Sequence, residues 1–593
     1  MCQHYSMVLR SIIKPYIAIA IGAIIALSGC RSPLDSSYEL PDLGNLQSLL
    51  EDDLEDDLGL ELRPTKNTTT IEKALEERMG EIEAMTPVPK ASSWPQFSHT
   101  SLGEDPLEVT AITINKVVNS VVSHNLDLEI ARLQPQISNE LLISNEAAFD
   151  FVLGAGSSTK KSKIPQQQAS VGGAPFGPSE SVSDAQNYEV SLVKKLSQGG
   201  TFTLSTDLTK TDSDSSGFTY EPNPGWQSVG TIDFKQPLLR GFGEKVALSE
   251  IALSKNATLK TKEEFRQSLH TIITEAELAY WDLALQWRVL QVQEWLLREG
   301  ELVVEILELR RSYDTNEADY AQAVATVEQR NTDVISQQSV VQNKSDELKE
   351  LMNDPSYPLE SDMVLSPSGV IETKDVFLSL RDTVLTAIKN RPDLMVLKIA
   401  IDDQNINIQV ADSARFPQLD LQAQLSFYGL DSGASGAYKE VFDNEYMNYL
   451  VGLTFEYPLG NRAAEAGYAS SRLKRITEIA SYKKGLQQIV REVKTAMRSV
   501  ATNSELISAN RSFRIAQVEN LRALLVEEEI LGGLTPTFLN LKLQTQAGLA
   551  NARIAEFTSA VNFNKALASL YKAAGTTLEM HQISFVDALS VDN

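Results

Sequence analysis

Cysteine is almost missing from this chain. Of 593 residues only two are Cys, Cys2 and Cys30, so the sequence beyond them has no thiol for a disulfide or a thiolate metal site. Histidine is scarce too: five residues, His4, His99, His124, His270 and His581, with no pair at metal-ligand spacing. His270 falls inside a long helical run, where a packed or exposed imidazole is the ordinary reading. No phosphate-cradling glycine loop is complete. Gly241-Phe242-Gly243 begins like one, but no Gly follows at the required place, and the segment more simply turns a strand into a helix. Carboxylates are abundant yet accompany no candidate nucleophile. The residues thus point to no enzyme, no metal and no cofactor. A basic surplus is absent as well: the net charge of −26 would be repelled by nucleic-acid phosphates and suits a well-solvated surface or one that favours cations. With 42% hydrophobic and 22% charged residues, the composition is not that of a helical membrane protein.

The one long apolar run, Tyr16 to Leu27, is too short to span a bilayer as a helix. Arg10 and Lys14 precede it, giving the charged start and apolar middle of a secretory signal. It ends in Leu27-Ser28-Gly29-Cys30, which resembles the lipobox of bacterial lipoproteins. That resemblance implies a signal peptide over 1–29, cleavage before Cys30, and a covalent lipid on the Cys30 thiol. The alternative is an ordinary signal peptide with an incidental Cys. Arg31, rather than Asp, follows the Cys; by resemblance to Gram-negative lipoproteins this implies the outer membrane. Residues 30–106 are polar and rich in Pro, with the acidic run Glu51-Asp52-Asp53-Leu54-Glu55-Asp56-Asp57. Such runs are usually disordered or solvated. They predict a lipid-anchored tether with one short helix near Ile71–Met79.

One arrangement occurs twice. Near Gln236-Pro237-Leu238-Leu239-Arg240-Gly241, and again near Tyr457-Pro458-Leu459-Gly460-Asn461-Arg462, an alternating run ends at a proline, which cannot donate to a β ladder. Each time a proline-free stretch of apolar residues at helical spacing follows. In the first, Leu269, Ile273, Ala276, Tyr280, Leu283, Trp287 and Leu290 recur alternately every four and three residues. The shift that carries Leu269 to Leu486 carries the next four to Val490, Val493, Met497 and Val500. A sustained 3.5-residue repeat predicts a helix packed along its length with a left-handed supercoil. Each run lasts about 71 residues, to Asp314 and Leu531, or about 106 Å of helix. Return helices are predicted to Met352 and Ala574. The turns are Asp314-Thr315-Asn316-Glu317 and Gly532-Gly533-Leu534-Thr535-Pro536, in which Gly supplies left-handed geometry and Pro536 restarts the helix.

The repeat extends further. Asp105-Pro106 reads as a helix start, with helical periodicity from Leu107 to Ala148; a second such stretch begins near Thr373 and passes Asn390-Arg391-Pro392-Asp393-Leu394. The spacing that sets Asp127 on Asp393 also sets Leu128 on Leu394 and Ala148 on Ala414. Strands follow both. In the second copy Leu419, Leu421, Ala423, Leu425 and Phe427 alternate with Asp420, Gln422, Gln424, Ser426 and Tyr428, and Tyr449 to Tyr457 form a return run. In the first copy the candidates are Phe149–Thr159, Tyr188–Leu196, Thr201–Lys210 and Ser228–Pro237, with a tight turn at Ser197-Gln198-Gly199-Gly200 and longer polar loops elsewhere. Runs of about ten residues suit tilted membrane-crossing strands, although a half-buried soluble sheet alternates in the same way. The count is four strands plus two; the alternative is two in each copy, with Tyr188–Lys210 a surface excursion.

The ordered set of features resembles the TolC family of outer-membrane efflux proteins, from about Leu107 to Ala574. The resemblance implies an α+β membrane protein with an internal two-fold repeat, in which a long α-helical periplasmic barrel joins a transmembrane β-barrel shared by a homotrimer. The first repeat is 107–352, with strands 149–237 and long helix 244–314. A linker, 353–372, precedes the second repeat, 373–574, with strands 418–458 and long helix 461–531; 575–593 is a C-terminal tail. One chain has too few strands for a membrane barrel, and open edges cannot face lipid, so closure needs several copies. Three copies of six strands exceed the barrel of familiar members.

The implied function is the outer-membrane channel of a tripartite efflux or type I secretion system, a passive duct for solutes or polypeptide. Its partners would be further copies of itself, a periplasmic adaptor, an inner-membrane transporter and outer-membrane lipid. The alternative is a lipid-anchored coiled-coil scaffold or adaptor of the cell envelope. The barrel–tunnel seam falls at Pro237, Gly241, Pro458 and Gly460. The periplasmic tip falls at Asp314, Asn316, Glu317, Asp319, Gly532, Gly533, Thr535, Pro536 and Lys542. Members of the family often carry Asp just after each turn; here the matching positions are Gln322 and Leu539. Negative charge is available instead from Asp314, Glu317 and Asp319, opposed by Lys542, and capping or solvation explains these residues equally well.

Overall fold

The computed structural model describes residues 60–62, 70–85, 108–176, 179–215, 220–312, 316–368, 376–531 and 535–583. The chain begins with β1 (Leu60–Leu62), α1 (Thr70–Ala74), a 3-10 turn (Glu76–Arg78) and α2 (Met79–Met85). Then come β2 (Val109–Ile112), α3 (Ile114–His124), α4 (Leu126–Glu146), β3 (Phe151–Pro165), the short pair β4 (Ala169–Val171) and β5 (Ala174–Phe176), β6 (Glu180–Lys195), β7 (Thr201–Ser215) and β8 (Gly225–Pro237). Helices α5 (Glu244–Ala247), α6 (Ser249–Arg310) and α7 (Glu317–Met352) complete the first part, and β9 (Val364–Pro367) follows. The second part is β10 (Val376–Leu378), α8 (Leu380–Asn390), α9 (Pro392–Ser413), β11 (Gln418–Asp431), α10 (Ala434–Asp443), β12 (Tyr446–Glu456), α11 (Arg462–Leu531), α12 (Pro536–Ala574) and α13 (Thr577–Met580). Both parts therefore run short helix, helix, strands, long helix, return helix.

Several boundaries differ from the sequence reading, each for a local reason. Asp105-Pro106, the expected start of the first helix, lie outside the described residues. Val109–Ile112 instead pairs in parallel with Val364–Pro367, and the helix waits for Thr113, whose side chain accepts from the Lys116 N–H as an N-cap. Likewise Val376–Leu378 is a strand paired with Leu60–Leu62, and Ser379 caps α8; Thr373 lies outside the described residues. The long helix of 244–314 breaks at Leu248 and ends at Arg310. The second ends at Leu531, where the sequence placed it. Cys30 and residues 584–593 lie outside the described residues, whereas Leu578, in the expected tail, is buried.

The buried apolar seam is where the 3.5-residue spacing put it. Leu269, Ile273, Ala276, Tyr280, Leu283, Trp287 and Leu290 are all buried in one core with Val117, Val121, Val341 and Leu348. In α11, Leu486, Val493, Met497 and Val500 are buried, while Val490 is half-buried beside a buried Ile489. Helix α12 packs against both α11 and α6, and α6 in turn against α7, so the two helical hairpins lie side by side.

The strands form one antiparallel six-stranded sheet in the order β12-β11-β8-β7-β6-β3. Four strands come from the first part and two from the second, and Tyr188–Lys210 belongs to the sheet rather than to an excursion. The register puts Tyr449, Leu425, Ile232, Leu204, Leu192 and Leu153 in one row across all six strands. A neighbouring row on the opposite face is Asn448, Ser426, Thr231, Ser205, Ser191 and Gly154. One face is thus apolar and the other largely polar, as period-two alternation requires. The apolar face is uncovered over much of its extent: Leu153 is 72%, Tyr449 77% and Val451 72% exposed.

Candidate functional site

The seam between sheet and helices is built by backbone close approach. Pro237 ends β8, and the chain continues by donating Leu238 N–H to the Leu419 carbonyl at 2.7 Å and Arg240 N–H to that of Pro417 at 3.3 Å. Gly241 has φ +82°, a left-handed conformation that disfavours a side chain, and its N–H donates to Ser413 Oγ at 3.0 Å. Its carbonyl sits so close to the β6–β7 turn that a Cβ on Gly199 would meet it at 2.5 Å. At the second seam Gly460 has φ +90°, just after Pro458. Asn461 Nδ2 donates to the Arg415 carbonyl at 2.9 Å, and Arg415 pairs with Glu465 and Asp412, both at 3.0 Å. The four residues marked from sequence therefore lie at two strand-to-helix corners, the first braced by Arg240, whose Nη2 donates to Gln418 Oε1 at 2.6 Å, and the second by Arg415.

At the other end of the long helices, Asn316 caps α7 by accepting from the Ala318 N–H at 3.1 Å, and Thr535 caps α12 by accepting from Phe538 N–H at 3.3 Å. Pro536 opens α12. Glu317 pairs with Arg311 across the turn, and Asp319 stands two residues further along α7, half-exposed. Lys542 is bound to Glu528 at 3.0 Å within its own hairpin, so its charge is already balanced. Asp314, Gly532 and Gly533 lie outside the described residues. Gln322 is exposed, whereas Leu539 is fully buried with Val303, Leu307, Ala323 and Leu543. The apolar contact at Leu539 joins the two hairpins near their ends.

A residue that the sequence reading missed ties the hairpins more strongly. Arg330 of α7 is 5% exposed; its guanidinium donates to the Leu296 carbonyl of α6 at 2.7 Å and to the Leu543 carbonyl of α12 at 2.8 Å. Burial pulls its pKa down to about 10, which leaves it charged at neutral pH. The available signal was Gly300, a glycine within a long helix. Gly costs about 1 kcal/mol there relative to Ala, so a close approach is the natural explanation.

Residues 70–85, expected as part of a tether, are docked. Ile82 is fully buried against Ile515, Val518, Leu521 and Leu549, and Glu72 pairs with Arg511 at 2.7 Å. The spacing of Ile71, Leu75, Met79 and Ile82 gives these turns an apolar stripe, and burying it outweighs the acidic surroundings.

Two titratable groups lie where the helical parts meet. Asp354 accepts from Ser120 Oγ at 2.7 Å and from the Ser356 N–H at 2.8 Å, with Lys116 at 3.4 Å. Its burial, which acts to raise the pKa, is outweighed by these contacts, and the carboxyl sits at about 2. His270 is 4% exposed; burial, then the charges of Arg266, Arg391 and Lys572, holds its pKa down at about 4. Among the described residues no group of His, Cys, Asp and Glu is arranged to hold a metal ion, and no helix is long and apolar enough to cross a membrane.

Residues 384–576 match the family described as outer membrane efflux protein. No curated protein matches the sequence. Among solved structures, the chain is similar to the Campylobacter jejuni CmeC outer membrane channel, with 14% identity, TM-score 0.58, and 83% of this chain and 95% of that one covered. It is similar to the Neisseria gonorrhoeae MtrE outer membrane channel in its open state, with 16% identity, TM-score 0.56 and coverage of 83% and 97%. A membrane protein from Pseudomonas aeruginosa gives 17% identity, TM-score 0.57 and coverage of 78% and 93%.

Proposed function

We propose, from the premise that residues 384–576 belong to the outer membrane efflux protein family, that this chain is one of three copies forming a passive export duct across the outer membrane. The apolar face of the six-stranded sheet would meet lipid and the polar face a water-filled bore. The observation that carries the reading is the apolar row in which Leu153, Leu204, Ile232 and Tyr449 are exposed, on a sheet whose terminal strands β3 and β12 each keep one open edge among the described residues. A soluble half-buried sheet would cover such a face, because exposed apolar patches of this extent mark an interaction surface. In lipid the edges must be paired, and pairing β3 of one copy with β12 of the next closes the ring under cyclic symmetry.

Below the seam, the side-by-side hairpins of three copies would continue the bore through the periplasm. The turns after Arg310 and Leu531 would receive an adaptor that connects to an inner-membrane transporter, the source of energy. Cys30 would carry the lipid that anchors the chain. Solutes or a polypeptide would pass without chemistry being done on them.

Reconstitution into planar bilayers tests this directly. Discrete, long-lived conductance steps from a detergent-purified trimer are expected. A protein that needs no detergent and gives no conductance would instead be a lipid-anchored scaffold. Co-purification from cross-linked cells should return an adaptor; its consistent absence would remove the partner part of the reading.

A further inference from the structure

The connection between β11 and β12 is neither a tight turn nor a loop projecting outward. It holds α10, Ala434–Asp443, which folds back onto the apolar face of the sheet. Small residues permit the approach: Ala437 is fully buried, a Cβ on Gly429 would stand 2.0 Å from its carbonyl, and one on Gly230 would touch Val441 at 3.5 Å. Tyr438 OH lies 3.3 Å from Thr206 Oγ1, two strands away from β11, and Glu440 accepts from the Leu430 N–H at 2.8 Å. These contacts fix the helix over β11, β8 and β7.

The helix is amphipathic. Ala434, Ala437, Tyr438 and Val441 fall on one stripe with Phe442, while Ser435, Lys439 and Asp443 are exposed. Phe442 is 83% exposed, an arrangement that gains nothing in water. Between α10 and the sheet lies a cleft of about 710 Å³, floored by Leu153, Val190, Leu192, Leu204 and Ile232 and walled by Tyr438, Val441 and Phe442. Further outward along the same face the side chains become charged, with Lys161 on Asp184 at 3.2 Å and Lys163 on Glu180 at 3.0 Å. The helix therefore sits near the outer end of the apolar band, which on β12 runs from Met447 to Phe455, roughly 26 Å. That is about the height of the lipid-facing band of membrane barrels.

We propose that α10 is an interfacial helix seated in the outer leaflet, and that its cleft takes an acyl chain of an outer-leaflet lipid. The inference rests on the reading of this face as lipid-facing. Given that reading, the occupant follows from continuity: the cleft opens onto the same apolar surface as Leu153 and Tyr449, so what reaches it is hydrocarbon. An amphipathic helix with an exposed aromatic on its apolar side is the form that lies in a membrane interface, and Phe442 extends the apolar surface of the sheet beyond the helix.

Photo-cross-linking in the native outer membrane separates the inference from the reading beneath it. A benzoylphenylalanine is placed at position 442 of the full chain and, in a second protein, at position 451 on the uncovered part of the face. Lipid adducts at both positions are expected, and mass spectrometry of the adducts distinguishes phospholipid from lipopolysaccharide acyl chains. Adducts at position 451 alone, or a protein adduct at 442, would overturn the interfacial helix and leave the duct intact. No lipid adduct at either position would overturn the lipid-facing sheet itself. For the cleft, Leu204→Trp places an indole in its floor. With secondary structure and trimer unchanged by circular dichroism and gel mobility, this variant should retain at least threefold less lipid after detergent exchange. Retention equal to wild type would remove the cleft as the lipid site. A misfolded Leu204→Trp protein is replaced by Ile232→Phe, read by the same criterion.

Discussion

A Cβ placed on Gly300 would stand 2.7 Å from Nη1 of Arg330, so the glycine of α6 leaves the space that the guanidinium of α7 fills. Through that space Arg330 reaches the main chain of α12 and makes one unit of two hairpins. Gly300→Ala and Arg330→Met are therefore expected to weaken the same joint. Arg330→Met removes charge-assisted bonds to two carbonyls and should cost roughly 2–4 kcal/mol. Hydrogen exchange measured over residues 539–546 should accelerate in both variants. If exchange there is unchanged, the clasp does not hold the hairpins together.

His270 gives the helical part an acid limit. Its folded pKa, about 4, lies below the ordinary 6.5, so between these values the unfolded chain binds a proton that the folded chain refuses. Stability from this site is complete above pH 6.5 and falls as pH drops toward 4, by roughly 3 kcal/mol in all. Thermal unfolding followed at pH 7.5 and pH 5 should show a smaller acid-induced drop for His270→Phe than for the wild type. Equal drops would assign the acid sensitivity elsewhere.

Asp354 acts in a lower window. Its pKa is depressed from 3.8 to about 2, so its contribution is present above pH 3.8 and is lost as pH falls through 2. Ser120→Ala removes one donor from the buried carboxylate, which should cost about 1–3 kcal/mol at pH 7 and move the acid transition to higher pH. Denaturant midpoints across pH 2 to 7 would expose either result.

The docked segment at residues 70–85 can be released by one substitution. Ile82→Asp puts an unpaired charge into the contact with Ile515 and Leu521 and should undock the segment at a local cost of several kcal/mol. Trypsin would then cut at Lys73 and Arg78 faster than in the wild type, while the long helices stay resistant. Unchanged cleavage would mean that the segment does not depend on this contact.

At the tip, Glu317 is paired with Arg311, and negative charge from Asp319 is expected to favour cations entering the proposed bore. Neutralising it with Asp319→Asn should lower the cation-to-anion permeability ratio measured from reversal potentials. Lys542→Ala should raise that ratio, because it leaves the carboxylate of Glu528 without its counter-charge.

Much of the architecture is legible in the sequence because it rests on local periodicity. The 3.5-residue spacing from Leu269 to Leu290 and the alternation from Leu419 to Phe427 can each be satisfied by one kind of element, so helices and strands follow. Pro237 and Pro458 mark the corners because a residue without an N–H cannot continue a ladder. The caps at Asn316 and Thr535 follow from side chains that accept from the next turn. Other features depend on what comes near from elsewhere in the chain. Val109–Ile112 is a strand because Val364–Pro367 lies beside it, and Ile82 is buried because α11 offers an apolar patch. Arg330 is a clasp rather than a solvated charge because carbonyls of two other helices and the bare Cα of Gly300 surround it. The direction taken by α10 belongs to this second group. Its amphipathic spacing is present in the sequence, but only the glycines of neighbouring strands, brought together by the sheet register, decide that it lies on the apolar face.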